Sequence, residues 1–215
     1  MPIARLASLS GNTFFRLGAP PYSAANVAVP VGIQFPFWPQ ISDQTSVSAG
    51  DIGDPQYLWY LNAVNPALVG TGETVFFARE ALFTIPALLA TITTTINVKI
   101  ATDNAFQARM TLTPTIVGLP VIFNFTDGIT AQNFVDPGPP FNWQRVYNFT
   151  VELPLLATSV GFDLQFEVKT VNYAQPGGTQ FTNPAGLLYD IEIGGFLVAP
   201  TITAGVPPAI TNPLV

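Results

Sequence analysis

Carboxylates are the main reactive side chains of this 215-residue sequence, which has 13 Asp and Glu residues, seven Lys and Arg residues, and no histidine or cysteine. Histidine is the commonest general base near neutral pH, and Ser-His-Asp and Cys-His catalysis both require it. The absence of cysteine excludes disulfides, thiolate metal sites and thiol nucleophiles. These residue types still allow glycoside hydrolysis, in which two carboxylates face each other across a cleft.

Five of the carboxylates fall on the polar phase of predicted strands. They are Glu152, Asp163, Glu167, Asp190 and Glu192. Alternation with apolar residues is typical of side chains on a solvated sheet face. Nothing in their spacing singles out two that would face each other across a cleft. We therefore expect the protein not to be an enzyme.

Two further carboxylates, Asp51 and Asp54, flank an Ile-Gly pair and have the oxygen chemistry that calcium prefers. Their spacing is not that of an EF-hand loop. The alternative interpretation is a turn in which Asp54 caps the segment that begins at Pro55. We therefore favour the turn and expect no cofactor, and calcium bound by Asp51 and Asp54 is the one exception that the sequence allows.

Aromatic side chains offer a different chemistry, because flat rings can pack against the apolar faces of sugars. The candidates are Trp38, Tyr57, Trp59, Tyr60, Trp143 and Tyr173. Trp143 follows the loop sequence DPGPPFN and Tyr173 lies in the loop sequence NYAQPGG, so these two are the best placed to bind a ligand. The alternative interpretation of all six is core packing.

Sparse charge restricts the partners. Only 9% of residues are charged, against about 25% in an average soluble protein, and the formal net charge is −6. The seven basic residues are scattered singly, whereas phosphate binding needs them clustered, so we expect no nucleic-acid partner. No apolar run approaches the roughly 18 residues of a membrane span, and the first residues lack the apolar core of a signal peptide.

Period-2 alternation of apolar and polar residues recurs in short segments separated by turn residues. The predicted strands cover residues 14–17, 27–35, 74–83, 92–101, 106–112, 120–125, 147–153, 162–168 and 189–193. Helix is limited to a turn or two over residues 55–61. This pattern predicts an all-β fold, an antiparallel β-sandwich or jelly roll.

Both ends of the chain are apolar and rich in proline, which forbids helix and interrupts strands. We predict an extended N-terminal arm over residues 1–45, a sandwich domain over 46–199 and an extended C-terminal arm over 200–215. The apolar arm residues, which something must bury, are Phe14, Phe15, Phe35, Phe37, Trp38, Ile202, Val206 and Ile210.

Three segments carry a resemblance to a known family. They are GETVFFAREALFTIP at 72–86, INVKIATDNAFQARM at 96–110 and NPAGLLYDIEI at 183–193. Residues 72–193 thereby resemble the galactose-binding-like β-sandwich modules of bacterial surface proteins. The sequence departs from the family where Met110-Thr-Leu-Thr-Pro114 replaces a strand ending in an Asn-Gly hairpin. The resemblance implies a jelly-roll sandwich with a non-catalytic role and leaves the ligand open.

Three functions fit these features. The first is a structural subunit that self-assembles through its arms into an extracellular or spore-surface filament or layer, with other copies of itself as partners. The second is a soluble carbohydrate-binding module, which predicts a monomer whose arms fold back on its own sandwich. The third is a viral capsid or spike jelly roll, although the chain has no basic arm to contact a genome. We expect an extracellular location on a cell or spore surface.

Overall fold

The structure is a computed structural model. It describes residues 3–31, 37–42, 47–61, 73–85, 92–115, 118–127, 142–155, 161–173, 184–204 and 207–215. Over these residues the fold is all-β, with a single 3-10 turn at Asn142–Gln144. None of the described residues belongs to a helix of the length and apolarity that a membrane crossing requires.

Long strands form where apolar and polar residues alternate, and strands of two to four residues form within residues 4–59 and at 201–204. In chain order the strands are β1 Ala4–Ala7, β2 Phe14–Arg16, β3 Val29–Pro30, β4 Ala49–Gly50, β5 Leu58–Trp59, β6 Glu73–Thr84, β7 Ile92–Asp103, β8 Ala105–Pro114, β9 Val121–Thr126, β10 Tyr147–Leu155, β11 Gly161–Asn172, β12 Gly186–Gly194 and β13 Thr201–Ala204. Instead of the helical turn expected over 55–61, the structure has strand β5, which pairs with β12 and β3.

The strands form two sheets. The first has the order β10-β7-β12-β1-β4, with β5 beside β12 and β3 beside β5, and the second has the order β13-β6-β11-β8-β9, with β2 beside β6. The β1–β4 pair is parallel and the other described pairs are antiparallel. The predicted antiparallel β-sandwich of jelly-roll type is therefore confirmed.

The core lies between the sheets and contains the residues that the alternation pattern assigns to it. On β11 the inward side chains Phe162, Leu164, Phe166 and Val168 are buried. Ile191 of the first sheet belongs to the same cluster. Each buried side chain of this kind contributes about 1.5–3 kcal/mol through the apolar surface it removes from water.

Both terminal segments are extended and pair with the chain's own sheets. Strand β1 lies between β12 and β4 in the first sheet. Strands β2 and β13 both pair with β6, β2 along its first half and β13 along its last residues. Together they cover an edge of β6 that would otherwise offer unpaired backbone groups to other chains.

The outer sheet faces are less solvated than the carboxylate pattern predicted. Glu152 is exposed, as expected. Asp190 is fully buried and pairs with Arg5 of β1, Nε to Oδ1 at 2.7 Å. Glu167 is buried beneath the C-terminal segment, whose Leu214 N–H donates to it. The prediction of a solvated face is wrong for these two residues, because the terminal segments cover it.

Candidate functional site

One end of the sandwich brings together the ends of several strands. Asn172, the last residue of β11, is paired with Glu73, the first residue of β6. At the same end Gly186, which begins β12, is paired with Asp103, which ends β7. We call this the aromatic end, because the side chains of Trp38, Tyr57, Trp59, Tyr60 and Tyr173 lie there with these residues.

Trp38 and Tyr57 close one side of the aromatic end. Their rings stack with centroids 4.2 Å apart, and Trp38 Nε1 donates to Asp103 Oδ2 at 3.0 Å. A Cβ atom on Gly186 would lie 2.8 Å from Trp38 Cη2, so only glycine allows this packing. Burial raises the pKa of Tyr57, whose hydroxyl donates to the carbonyl oxygen of Pro39. Trp38 is only 3% exposed and is therefore a core residue of its own chain.

The two aromatic residues predicted to bind a ligand lie in different clusters. Tyr173 is 2% exposed and packs with Ala105 and Val171, and its backbone N–H donates to Asn104 Oδ1 at 2.7 Å. Trp143 is partly buried and packs against the main core from the 3-10 turn. Sugar stacking by Trp143 and Tyr173 stays a prediction.

A second group at the aromatic end combines Tyr60, Glu73, Asn172 and Trp59. The Tyr60 hydroxyl donates to Glu73 Oε1 at 2.6 Å. Burial raises the pKa of the Glu73 carboxyl, and the bond from Tyr60 partly opposes that rise. Asn172 is on the same face as Glu73, because residues paired across an antiparallel ladder point to the same side. The Trp59 ring lies 5.9 Å from the Tyr60 ring.

This group holds several polar atoms that are buried and, among the described residues, have no hydrogen-bond partner. Asn172 is 0% exposed, and within that part of the chain neither its Oδ1 nor its Nδ2 is paired. The same holds for Glu73 Oε2 and Trp59 Nε1. Each such atom costs about 1–3 kcal/mol, and native structures contain few of them. Two donors and two acceptors without a partner among the described residues thus lie at one end of the sandwich.

The sequence interpretation did not identify Asn172 as a site residue, although the sequence pattern contained a signal. Phe162, Leu164, Phe166, Val168 and Thr170 occupy the inward phase of β11, and Asn172 follows on the same phase. A carboxamide at a core position needs a partner. The sequence pattern alone therefore identifies Asn172 as a candidate site residue. Its neighbours Glu73 and Tyr60 can be identified only from the pairing of the strands.

The acidic residues predicted as calcium ligands have other surroundings. Both carboxylate oxygens of Asp51 face the Arg79 guanidinium, Oδ2 at 2.7 Å and Oδ1 at 3.0 Å. Oδ2 also accepts from the Ala7 N–H and from Asn12 Nδ2. Asp54 is exposed. Within the described residues no three His, Cys, Asp or Glu side chains form a group suited to a metal. Calcium binding stays a prediction, and Asp51 joins the N-terminal segment to β6.

The predicted arm residues lie mostly on the sandwich itself. Phe14 is buried with Tyr22, Phe76, Ala78 and Leu214. Phe15 packs on Tyr60 with ring centroids 5.7 Å apart. Ile202 packs against the main core and Ile210 against the Phe14 cluster. Phe37 is 67% exposed. Phe35 and Val206 lie outside the described residues.

Comparison with known proteins adds one distant likeness. No protein-family model matches the sequence, and no curated protein matches it. Among solved structures, the chain is similar to TmCBM61 in complex with β-1,4-galactotriose, with a TM-score of 0.35 and 7% sequence identity. The similarity covers 59% of this chain and 66% of that one, just under two thirds of its length. A likeness this distant does not place the chain in a family.

Proposed function

We propose that this protein is a non-catalytic carbohydrate-binding module of an extracellular surface, and that its sugar binds at the aromatic end through Tyr60, Glu73 and Asn172. The observation that carries the proposal is the fully buried Asn172 carboxamide, which lies beside Glu73 and is unpaired among the described residues. Sugar hydroxyls donate to carboxylate and amide oxygens and accept from amide N–H groups. The partly exposed Tyr60 ring supplies an apolar surface for the sugar ring.

A binding role fits the acidic groups at this end better than catalysis. Glycosidases use two carboxyl groups that flank the scissile bond. Glu73 is one carboxylate with a pKa raised by burial. Asp103 also lies at this end, but it is buried and accepts from Trp38 and Asn104. The resemblance of residues 72–193 to galactose-binding-like modules agrees with a non-catalytic role.

The placement of the terminal segments favours the module over the assembly subunit. A module was expected to fold its arms back, and Phe14, Trp38 and Leu214 are buried against the chain's own sandwich. Assembly into a filament, layer or capsid stays a prediction, as does the cell-surface or spore-surface location.

The test is a calorimetric titration of the full chain with β-1,4-galactotriose and with cellotriose, preceded by a glycan array. We expect Asn172→Ala and Glu73→Gln to weaken binding of the selected glycan at least tenfold. Asn124→Ala on β9 and Glu152→Gln on β10 are matched controls, because they remove the same groups from exposed positions. The proposal fails if no glycan binds or if Asn172→Ala binds as tightly as the unmodified protein.

A further inference from the structure

A cleft of about 450 Å³ lies on the outer face of the second sheet, where β8 pairs with β9. Its volume falls within the roughly 300–1,000 Å³ that is usual for small-molecule sites. Phe125 and Leu214 line it with apolar surface. Its polar lining comes from both strands and consists of Gln107, Arg109, Asn124 and Thr126.

Strand pairing brings these four polar side chains together. Gln107 is directly opposite Thr126, and Arg109 is directly opposite Asn124. Residues paired in this way point to the same side of a sheet, and so do alternate residues of one strand. Because Ala108, between Gln107 and Arg109, is buried, the four side chains point away from the core.

Two hydrogen bonds fix the Arg109 guanidinium at the cleft. Its Nε donates to Asn124 Oδ1 at 3.1 Å, and its Nη1 donates to Asn212 O at 2.9 Å. Among the described residues Arg109 Nη2 has no partner, and the Gln107 side chain has none either. Since the Asn124 oxygen is bound to Arg109, the group that this amide has left over is its Nδ2 donor. Gln107, Arg109 and Asn124 thus each have a hydrogen-bond donor that the described part of the chain does not use.

The charge at the cleft is positive. Of the described residues that line it, Arg109 alone is charged. Glu167 is the neighbouring carboxylate, paired with Arg109 in the register of β11 and β8. Its two oxygens accept from Arg16, the Tyr22 hydroxyl and the Leu214 N–H. Within the described ranges no carboxylate forms an ion pair with Arg109. In a chain of net charge −6, this cleft therefore combines a cation with unused donors.

We propose that the cleft is a second glycan-binding site, which takes a sugar that carries a carboxylate, such as a uronic acid unit of an acidic polysaccharide. Arg109 Nη2 donates to the carboxylate, and such charge-assisted bonds are stronger than neutral ones. Gln107 and Asn124 donate to the carboxylate or to ring hydroxyls, and Phe125 and Leu214 offer apolar surface to the sugar ring.

A single cation suits a ligand with one carboxylate per sugar unit. Nucleic acids and other polyphosphates need clustered basic residues instead. The site shares no residue with the aromatic end and does not depend on sugar binding there.

The test begins with an array of oligomers of galacturonate, glucuronate, mannuronate and guluronate, each beside its methyl ester. The ester keeps the sugar ring and removes the charge. We expect at least one acid to bind the full chain, and its ester to bind at least tenfold more weakly in calorimetric titration. Added salt should also weaken binding of the acid.

Variants assign that binding to the cleft. Arg109→Gln should weaken binding of the acid at least tenfold. Gln107→Ala should weaken it severalfold, and Gln107 is exposed and makes no bond within the described chain, so its removal leaves the fold intact. Lys99→Gln is the charge-matched control and should bind as the parent does, because Lys99 lies on β7 of the first sheet, beside Glu192.

Four results overturn the proposal: no oligouronate binds, the ester binds as tightly as the acid, Arg109→Gln binds as tightly as the parent, or Lys99→Gln weakens binding as much as Arg109→Gln does. Neutral galactotriose reports on the aromatic end separately. Asn172→Ala should lose the neutral trisaccharide and keep the acid, whereas Asn124→Ala should do the reverse.

Discussion

Strand β11 carries two buried polar side chains in contrasting surroundings. Glu167, which is 1% exposed, is fully partnered: its Oε1 accepts from Arg16 at 3.0 Å and from the Tyr22 hydroxyl at 2.6 Å, and its Oε2 accepts from Leu214 N. Asn172, five residues later, finds no partner for either polar atom of its carboxamide among the residues that the structure describes.

Under the proposed function, the contrast is between a polar group that holds the fold together and one that binds a ligand. A buried charge whose partners belong to the same chain is part of the fold. Removing one partner leaves the other charge buried and unpaired, and the cost of its desolvation is then not compensated. A buried amide without partners destabilises the fold, and under the proposed function a sugar supplies the partners that Asn172 lacks among the described residues. Mutations at the two positions should therefore have opposite effects on stability.

The largest expected effect is at Glu167. Replacing Glu167 by Ala leaves the buried Arg16 guanidinium without its counterion, and we expect the free energy of unfolding to fall by about 3–5 kcal/mol. Denaturant unfolding followed by tryptophan fluorescence measures it, with Glu152→Ala as the exposed control on β10. A loss similar to that of the control would show that the Glu167 cluster does not support the fold.

The opposite sign is expected at Asn172. Replacing Asn172 by Leu, which has a similar volume and no polar atoms, should raise the free energy of unfolding of the unliganded protein by about 1–2 kcal/mol. Sugar binding should be lost in the same variant. The same unfolding assay tests this expectation. If the variant is less stable than the parent, the carboxamide has a structural partner and the contrast with Glu167 does not hold.

A smaller effect is expected at Tyr60. Replacing Tyr60 by Phe keeps the ring and removes the bond to Glu73 Oε1, which helps to keep the Glu73 carboxyl ionised. We expect the pKa of Glu73 to rise further in this variant. When the solution is acidified, the variant should therefore lose glycan affinity at a higher pH than the parent does. Titration of the Glu73 carboxyl by NMR in both proteins reports it directly, and an unchanged pKa would contradict the proposed coupling.

The smallest effect concerns Asp163, a third polar residue of β11. Burial and the neighbouring Glu80 raise the pKa of Asp163 from 3.8 to about 6, although Gln165 partly opposes the rise. Because the folded-state pKa lies above the unfolded one, the folded protein binds more protons between these two values. Stability should therefore decrease as the pH rises from about 4 to about 6.

Unfolding measured at pH 5 and pH 7 checks this pH dependence, and Asp163→Asn should reduce it. Part of the slope should survive in that variant, since the pKa values of Glu73 and Asp190 are also raised by burial. The expected change is small because Asp163 is partly exposed and water screens its interaction with Glu80. An identical pH dependence in Asp163→Asn would show that this carboxyl does not titrate in the predicted range.

Several elements of the fold could be predicted from the sequence. The alternation over 147–153 and 162–168 predicts the strands β10 and β11 and the side chains of each that pack against the core. The four-residue strand β1 was missed, because Ala-Arg-Leu-Ala carries too few residues for a period to be recognised. The partners of Arg5 and Arg79 were equally invisible, since they lie 185 and 28 residues away in the chain.

Local pattern by itself determined the all-β class, the inward residues of the long strands and the lack of histidine and cysteine chemistry. These properties depend on residue type and on the two-residue period of a strand, both of which are local features of the sequence. The tertiary structure alone decided that the terminal segments fold back, that Glu167 is satisfied and that Asn172 is left unsatisfied by the described part of the chain. Each of those outcomes depends on which distant strands become neighbours. The alternation pattern shows which side chains of a strand point away from the core, but it does not show which other segment of the chain packs over them.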